Sequence, residues 1–123
     1  MSRVMVIDDD AAVRLLLRKA LERDGHSVIE EPDGKSALRH LAGTPPDLVI
    51  SDVFMPDMDG IDLLIRVREV FPEITIFVMS GGGRYLDKDS ILAAASKLGA
   101  TSVFEKPFKI EEVLKAVRGV LSP

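Results

Sequence analysis

The chain has 123 residues, of which 46% are hydrophobic and 29% charged, and its formal net charge is −4. This length suits one domain with a single buried core, and the acidic balance disfavours broad nucleic-acid binding, which requires a basic face. The sequence contains no cysteine, which excludes a thiolate metal site. It contains no signal-peptide core and no apolar run of membrane-spanning length, so we expect a cytoplasmic location.

Short apolar runs and amphipathic segments alternate along the chain. The runs predict five strands, at Val4–Ile7, His26–Glu30, Leu48–Asp52, Ile74–Met79 and Thr101–Phe104. After each strand, apolar residues recur at three- and four-residue spacing, as they do on one face of a helix. The five helices are predicted from these positions: Val13, Leu16, Leu17, Ala20 and Leu21; Ala37, Leu38 and Leu41; Ile61, Leu64, Ile65 and Val67; Ile91, Leu92, Ala95 and Leu98; Ile110, Val113, Leu114, Val117 and Leu121.

Residues typical of helix ends support the predicted helix boundaries. Asp10 and Asp33 are placed to cap the first two helices, because a carboxylate oxygen can accept from the free N–H groups of the first turn. Gly25 and Gly43 stand where those helices should end. Five strands alternating with five helices predict parallel pairing, right-handed crossovers and helices on both faces. We therefore expect an α/β fold, a doubly wound (βα)5 sheet of order 2-1-3-4-5 in a flavodoxin-like three-layer sandwich.

In such a fold, polar residues that follow the strands meet at one edge of the sheet. Asp8 and Asp9 follow the first strand and Asp52 ends the third, which is the neighbour of the first in the predicted order. Ser80 and Lys106 follow the fourth and fifth strands. Asp52 alone could be a loop cap, but the convergence of these other groups favours a functional site.

Three clustered carboxylates repel each other, so they either bind protons at raised pKa or bind a cation. A donor set of oxygens without histidine or cysteine suits Mg²⁺. With the ammonium of Lys106 and the hydroxyl of Ser80, this set has the parts needed to stabilise a phosphoryl group in transfer. Asp52 is central among them and is the natural nucleophile, which would form an acyl phosphate.

Four motifs give the chain a resemblance to the receiver domain of response regulators, the phosphoacceptor domain of two-component signalling. The similarity runs from about Val4 to about Leu121. Each motif is weak alone, but all four occur in order at strand ends. They are Val6–Asp10, Asp52 with Met55–Gly60, Met79–Gly81 and Lys106–Phe108.

The resemblance implies roles for individual residues. Asp52 corresponds to the phosphorylated aspartate, which also binds the metal, and Asp9 to a direct metal ligand. Asp8 would act on the metal mainly through a water molecule, and the backbone carbonyl of Phe54 would complete the protein ligands. Three further roles are implied: Ser80 as the switch hydroxyl, Lys106 as the partner of the phosphoryl oxygens, and a cis peptide bond before Pro107.

The same resemblance implies the cofactor and the partners. The cofactor would be Mg²⁺ or Mn²⁺, and the phosphoryl donor a sensor histidine kinase or a histidine phosphotransfer protein. The output would pass to an unidentified protein target, without direct nucleic-acid contact or membrane insertion. We expect residues 1–123 to be one receiver domain without an output domain. The receiver domain would promote its own phosphorylation and dephosphorylation and would not otherwise be an enzyme.

Two features depart from the family pattern. Val103 occupies a position where the family usually has a switching aromatic residue, and Phe104, one place along, should point to the opposite face. The segment from Ser80 to Lys106 is also a few residues longer than usual. Both features concern signal output, not phosphoacceptor chemistry.

Three other functions remain as alternatives. A flavodoxin-like cofactor site would be disfavoured because Asp8, Asp9 and Asp10 would repel the cofactor's phosphate. A phosphatase of the haloacid dehalogenase type would need a second aspartate where this chain has Phe54. A pseudo-receiver that acts only as an interaction module, without phosphorylation, is the third.

Overall fold

The computed structural model describes residues 2–52, 60–80, 93, 96–97 and 99–121. Within them, strands β1 to β5 span Arg3–Ile7, Ser27–Glu31, Leu48–Asp52, Thr75–Ser80 and Ser102–Glu105. Helices α1 to α4 span Ala11–Arg23, Gly34–Gly43, Gly60–Val70 and Ile110–Val120. The helix predicted over 91–98 falls largely outside the described residues. Among the helices described, none combines the length and apolar character needed to cross a membrane.

All five strands are parallel and follow the order β2-β1-β3-β4-β5, which confirms the predicted α/β fold. β1 lies between β2 and β3, so the order in which strands are added to the sheet reverses there, at a topological switch point. The register sets Asp52 opposite Met79, and Ser80 opposite Glu105. The ends of β3, β4 and β5 are therefore brought level at the carboxyl edge.

Capping fixes where the first two helices begin, as predicted. The side chain of Asp10 accepts from the N–H of Ala12, and that of Asp33 accepts from the N–H of Ser36. Each such cap contributes about 1 kcal/mol relative to alanine. Gly25 follows α1 with φ at +92°, a backbone conformation that glycine adopts without steric cost. Chain entry into α1 and exit from it are thus both encoded locally.

The sheet separates two hydrophobic clusters. Alternate residues of each strand point to opposite faces, and full burial of one aliphatic side chain contributes about 1.5–3 kcal/mol. One face packs against α2 and α3 through Met5, Ile7, Ala37, Leu41, Val49, Leu63, Leu64, Val67, Ile74, Ile76 and Val78. The other packs against α1 and α4 through Val4, Val6, Leu17, Leu21, Val28, Leu48, Ile50, Phe77, Met79, Phe104, Val113, Leu114 and Val117.

Two apolar residues assigned to helix faces are exposed. The spacing predicts Leu16 on the inward face, yet it is 49% exposed, whereas Leu17 is fully buried. Ile65 is 37% exposed, and its neighbour Leu63 is fully buried instead. Successive helical residues are about 100° apart, and the stripe that each helix buries against the sheet is narrower than its apolar surface. Periodicity locates the faces correctly but overestimates their width.

Candidate functional site

Three carboxylates meet at the carboxyl edge of the sheet. Asp8 follows the last residue of β1, Asp9 comes next, and Asp52 is the last residue of β3. One oxygen of each side chain lies within 4.8 Å of the others. Asp8 and Asp52 are buried, while Asp9 is exposed. The cluster is therefore anchored in the core and open to solvent on the side of Asp9.

Lys106 brings a positive charge into this cluster. Its Nζ lies 2.7 Å from Oδ2 of Asp8 and 3.2 Å from Oδ2 of Asp52. The side chain is 22% exposed, so both ion pairs are partly shielded from water. The backbone N–H of Lys106 donates to the carbonyl of Ser80 at 2.7 Å, and the peptide bond to Pro107 is cis. Residues from the ends of β4 and β5 are thus held beside the carboxylates.

Burial affects the pKa values of both Asp8 and Lys106. Burial raises the pKa of Asp8 above its ordinary value of 3.8, although hydrogen bonds from Lys106 and from the N–H of Asp10 act in the opposite direction. Burial also acts to lower the pKa of Lys106, but its hydrogen bonds and charge interactions with Asp8 and Asp52 outweigh this, and the pKa is raised above 10.5. The ammonium therefore stays charged at neutral pH and partly offsets the crowded carboxylates.

Backbone contacts fix the orientation of Asp8. Its Oδ1 accepts from the N–H of Asp10 at 2.9 Å, and its own N–H donates to the carbonyl of Glu31 at 3.2 Å. Its carbonyl accepts from Nη1 of Arg14. Arg14 is not among the residues that the sequence motifs single out; an arginine one helical turn beyond an acidic triplet is the available signal.

Ser80 and Phe54 are the two other residues predicted at this site. Ser80 is buried at the end of β4, at the same edge as the carboxylates, and joins Lys106 through its carbonyl. Phe54 lies outside the described residues, as do the glycines 81–83. Beside the site, the hydroxyl of Ser51 donates to the carbonyl of Asp52 at 3.1 Å.

The residues present suit a hard divalent cation. The three carboxylates offer only oxygen ligands, which Mg²⁺ and Mn²⁺ prefer over nitrogen or sulfur. Their mutual repulsion is relieved only in part by Lys106, so a further positive charge would stabilise the cluster. The exposure of Asp9 leaves one side of the group accessible to water molecules, which Mg²⁺ usually retains in its coordination shell.

Comparison with known proteins agrees with this geometry. The family profile of the response regulator receiver domain matches residues 4–118. The chain belongs to this family. Receiver domains of response regulators interact with histidine kinases and downstream effectors. This protein is therefore a signalling domain.

Named relatives and solved structures extend the comparison. The chain is 37% identical to the response regulator MprA of Mycolicibacterium vanbaalenii over 97% of its own length and 50% of that protein. It is 32% identical to sporulation initiation phosphotransferase F of Bacillus subtilis, covering 97% of this chain and 93% of the relative. The chemotaxis protein CheY4 of Vibrio cholerae superposes with a TM-score of 0.88 at 28% identity, over 98% of both chains. The chain thus spans about half the length of MprA and nearly all of phosphotransferase F.

The end of β5 confirms one detail of the predicted departure from the family. Val103 packs against the cluster on the α2–α3 side, whereas Phe104 belongs to the cluster on the α1–α4 side. The Phe104 ring contacts that of Phe77 edge to face, with 5.5 Å between centroids. The aromatic ring near the site is therefore a core residue of the opposite layer.

Proposed function

We propose that this domain accepts a phosphoryl group on Asp52, in the presence of Mg²⁺ or Mn²⁺, from a phosphohistidine of a sensor kinase or a phosphotransfer protein. The observation that supports this best is the convergence of Asp8, Asp9, Asp52 and Lys106 at one edge of the sheet. Family membership supports the same function and disfavours a flavin site or a phosphatase.

In the proposed reaction, an oxygen of the Asp52 carboxylate attacks phosphorus. A phosphorus–oxygen bond forms as the phosphorus–nitrogen bond of the donor breaks, and the electron pair of that bond leaves with the imidazole nitrogen. Lys106 would pair with phosphoryl oxygens, and the 3.2 Å between its Nζ and Oδ2 of Asp52 supports this role. The ammonium would thereby stabilise the negative charge of the acyl phosphate.

The residues that would hold the metal are Asp8, Asp9, Asp52 and the backbone carbonyl of Phe54, with Asp8 acting through a water molecule. When bound, the cation neutralises the charge that the phosphoryl oxygens bring into an already acidic cluster. Before transfer, the domain's own residues hold Asp52 in place: Lys106 pairs with its side chain, and the hydroxyl of Ser51 donates to its backbone carbonyl.

The phosphorylated state would be communicated through Ser80. Its carbonyl and the N–H of Lys106 are hydrogen bonded, so a movement of either residue reaches β4 and β5 together. The phosphorylated form would then bind an unidentified protein target. The relative named a phosphotransferase also supports a relay role, in which the phosphoryl group passes on to another histidine protein.

Labelling with a small phosphodonor tests the proposal. Incubation with acetyl phosphate and Mg²⁺ should add one phosphoryl group, detected by intact mass and removed by hydroxylamine. Asp52→Asn should abolish it because an amide is not a nucleophile, whereas Asp62→Asn, at an exposed position of α3, should label like the wild type. Undiminished labelling of the Asp52→Asn variant would exclude Asp52 as acceptor. A wild-type chain that takes up no phosphoryl group would favour an interaction module instead.

A further inference from the structure

Arg14 joins three parts of the structure next to the acidic cluster. It lies in the first turn of α1, and its side chain is only 16% exposed. Its Nη1 donates to the backbone carbonyl of Asp8, and its Nε donates to Oε1 of Glu30 on β2 at 3.3 Å. Glu30 is also held by Arg18 at 2.9 Å. The guanidinium is therefore fixed in orientation by a carboxylate on the neighbouring strand.

The carbonyl that Arg14 binds belongs to the peptide unit between Asp8 and Asp9. The N–H of Asp8 is already bound to the carbonyl of Glu31, and its side chain to Lys106 and to the N–H of Asp10. Asp9, in contrast, is exposed, and one of its carboxylate oxygens lies within 4.8 Å of oxygens of Asp8 and Asp52. The orientation of the unit determines where the Asp9 side chain starts, because the peptide plane is rigid.

We propose that Arg14 is a positioning residue for the cation site: by holding the Asp8 carbonyl, it keeps the following peptide plane in the orientation that directs Asp9 toward Asp52. This inference rests on the proposed function, since it assigns a role toward the same cation. A residue of this kind raises metal affinity by increasing the fraction of molecules in which the ligands are already arranged.

A simple charge effect predicts the opposite sign. Arg14 is a cation close to a site for cations, so its removal should strengthen Mg²⁺ binding if repulsion were its main contribution. A positioning role predicts weaker binding in spite of the relieved repulsion. The direction of the change alone therefore separates the two interpretations.

Arg18 provides a matched control. It is an arginine on the same helix, one turn further along, and it binds the same Glu30 carboxylate. Within the part of the chain that the structure describes, Arg18 makes no hydrogen bond to Asp8. Arg18→Ala removes a nearby positive charge and weakens the hold on Glu30, but leaves the contact between Arg14 and the Asp8 carbonyl in place.

The test is a Mg²⁺ titration of the full chain, followed by calorimetry and by amide chemical shifts. We expect Arg14→Ala to raise the dissociation constant about tenfold, a typical cost of losing an outer contact of a metal ligand. Arg14→Lys keeps the charge but cannot bridge a carbonyl and a carboxylate with one planar group, so it should also weaken binding. Arg18→Ala should stay within about twofold of the wild type or bind slightly more tightly. In metal-free protein, the amides of Asp9 and Asp10 should shift in Arg14→Ala and not in Arg18→Ala.

The outcomes distinguish this inference from the proposed function. If the wild type binds Mg²⁺ and is labelled on Asp52 while Arg14→Ala binds the metal equally or more tightly, the positioning role is wrong and the proposed function stands. A wild type that neither binds Mg²⁺ nor is labelled contradicts the proposed function itself. Should Arg14→Ala prove unfolded by far-ultraviolet circular dichroism, the affinity of Arg14→Lys decides, and wild-type affinity in that variant overturns the inference.

Discussion

The ammonium of Lys106 lies nearer to Asp8 than to Asp52, at 2.7 Å against 3.2 Å. The carboxylate closest to it is the one buried completely, at 0% exposure. Lys106 therefore stabilises the negative charge of Asp8 at least as directly as it stabilises that of Asp52, the proposed acceptor. In our proposal, a phosphoryl group on Asp52 would give the ammonium a third anionic partner.

Removing Lys106 should destabilise the metal-free protein through Asp8. Lys106→Met leaves a buried carboxylate without its cation, and we expect the free energy of unfolding to fall by about 1–3 kcal/mol. Adding Asp8→Asn to this variant should restore part of the loss, because the uncompensated charge is gone. Lys115→Met, at an exposed position of α4, is the control and should change stability by less than about 0.5 kcal/mol. Urea denaturation measures all four proteins; a double variant no more stable than Lys106→Met would contradict this account.

The raised pKa of Asp8 predicts a dependence of stability on pH. Between 3.8 and the higher pKa of the folded state, the native protein binds more protons than the unfolded chain, so the contribution of Asp8 to stability is lost as pH rises through this window. Asp8→Asn lacks this titration, and its stability relative to the wild type should therefore increase as pH rises from about 4 toward neutrality.

Asp24 supplies a control of opposite sign. Its hydrogen bonds with Arg118 hold the pKa of Asp24 below 3.8, so its contribution is present above that value and is lost as pH falls. Asp24→Asn should lose stability relative to the wild type as pH rises through the acid range up to about 3.8, whereas Asp8→Asn gains it only above 3.8. Chemical denaturation at a series of pH values tests both, and curves of the same sign would disagree with the burial of Asp8.

Asp9 should matter to the metal and little to the fold. Its side chain is exposed, so Asp9→Asn is expected to change the free energy of unfolding by less than about 0.5 kcal/mol, while an amide in place of a ligating carboxylate weakens Mg²⁺ binding about tenfold or more. Asp10→Asn is the matched control, because it makes the same change of charge one residue along and asparagine still caps α1. Equal losses of Mg²⁺ affinity in the two variants would mean that only net charge matters here.

Phe104 should behave as a core residue and not as a moving ring. It is 9% exposed and packs against Phe77, so Phe104→Ala should lower the free energy of unfolding by about 3 kcal/mol, and Val103→Ala by about 1 kcal/mol. Addition of beryllofluoride with Mg²⁺ should leave the ring resonances of Phe104 nearly unchanged. A large displacement of the Phe104 resonances, with those of Val103 unaffected, would show that the conformational change passes through the layer on the α1–α4 side.

Gly99 and Gly119 should respond to alanine in opposite directions. Gly99 has φ at +82°, and a Cβ there would lie 3.4 Å from Nε of Arg68, whose guanidinium donates to the carbonyls of Pro72, Ile74 and Gly99. Gly99→Ala should cost about 1–2 kcal/mol of stability. Gly119 lies in α4, and among the described residues no atom outside its own stretch of helix lies within 4 Å of the added Cβ, so Gly119→Ala should gain about 0.5–1 kcal/mol. Thermal unfolding of both variants checks the pair.

Local signals made the fold predictable. Capping residues such as Asp10 and Asp33 and the alternation of strands with helices specify short-range structure, which the sequence displays directly. The burial of Leu63 instead of Ile65 depends on how wide a stripe the sheet covers, a property of tertiary packing. Periodicity alone contains no information about that width.

The candidate site was predictable in its members but not in its internal contacts. Strand order brought Asp8, Asp52 and Lys106 to one edge, because the ends of parallel strands are determined by topology. The preference of the ammonium for Asp8 arises from side-chain reach and burial across residues far apart in sequence. The contact between Arg14 and a backbone carbonyl is signalled in the sequence only by an arginine one helical turn beyond the acidic triplet.

The sheet separates two cores that share strands but few side-chain neighbours, so the two halves of the interior are free to diverge separately. A substitution such as Leu41→Val on the buried face of α2 can be compensated within its own layer, without altering the packing around Val113 on the buried face of α4. Over evolutionary time, one layer could be reshaped toward a new partner while the other preserves the framework.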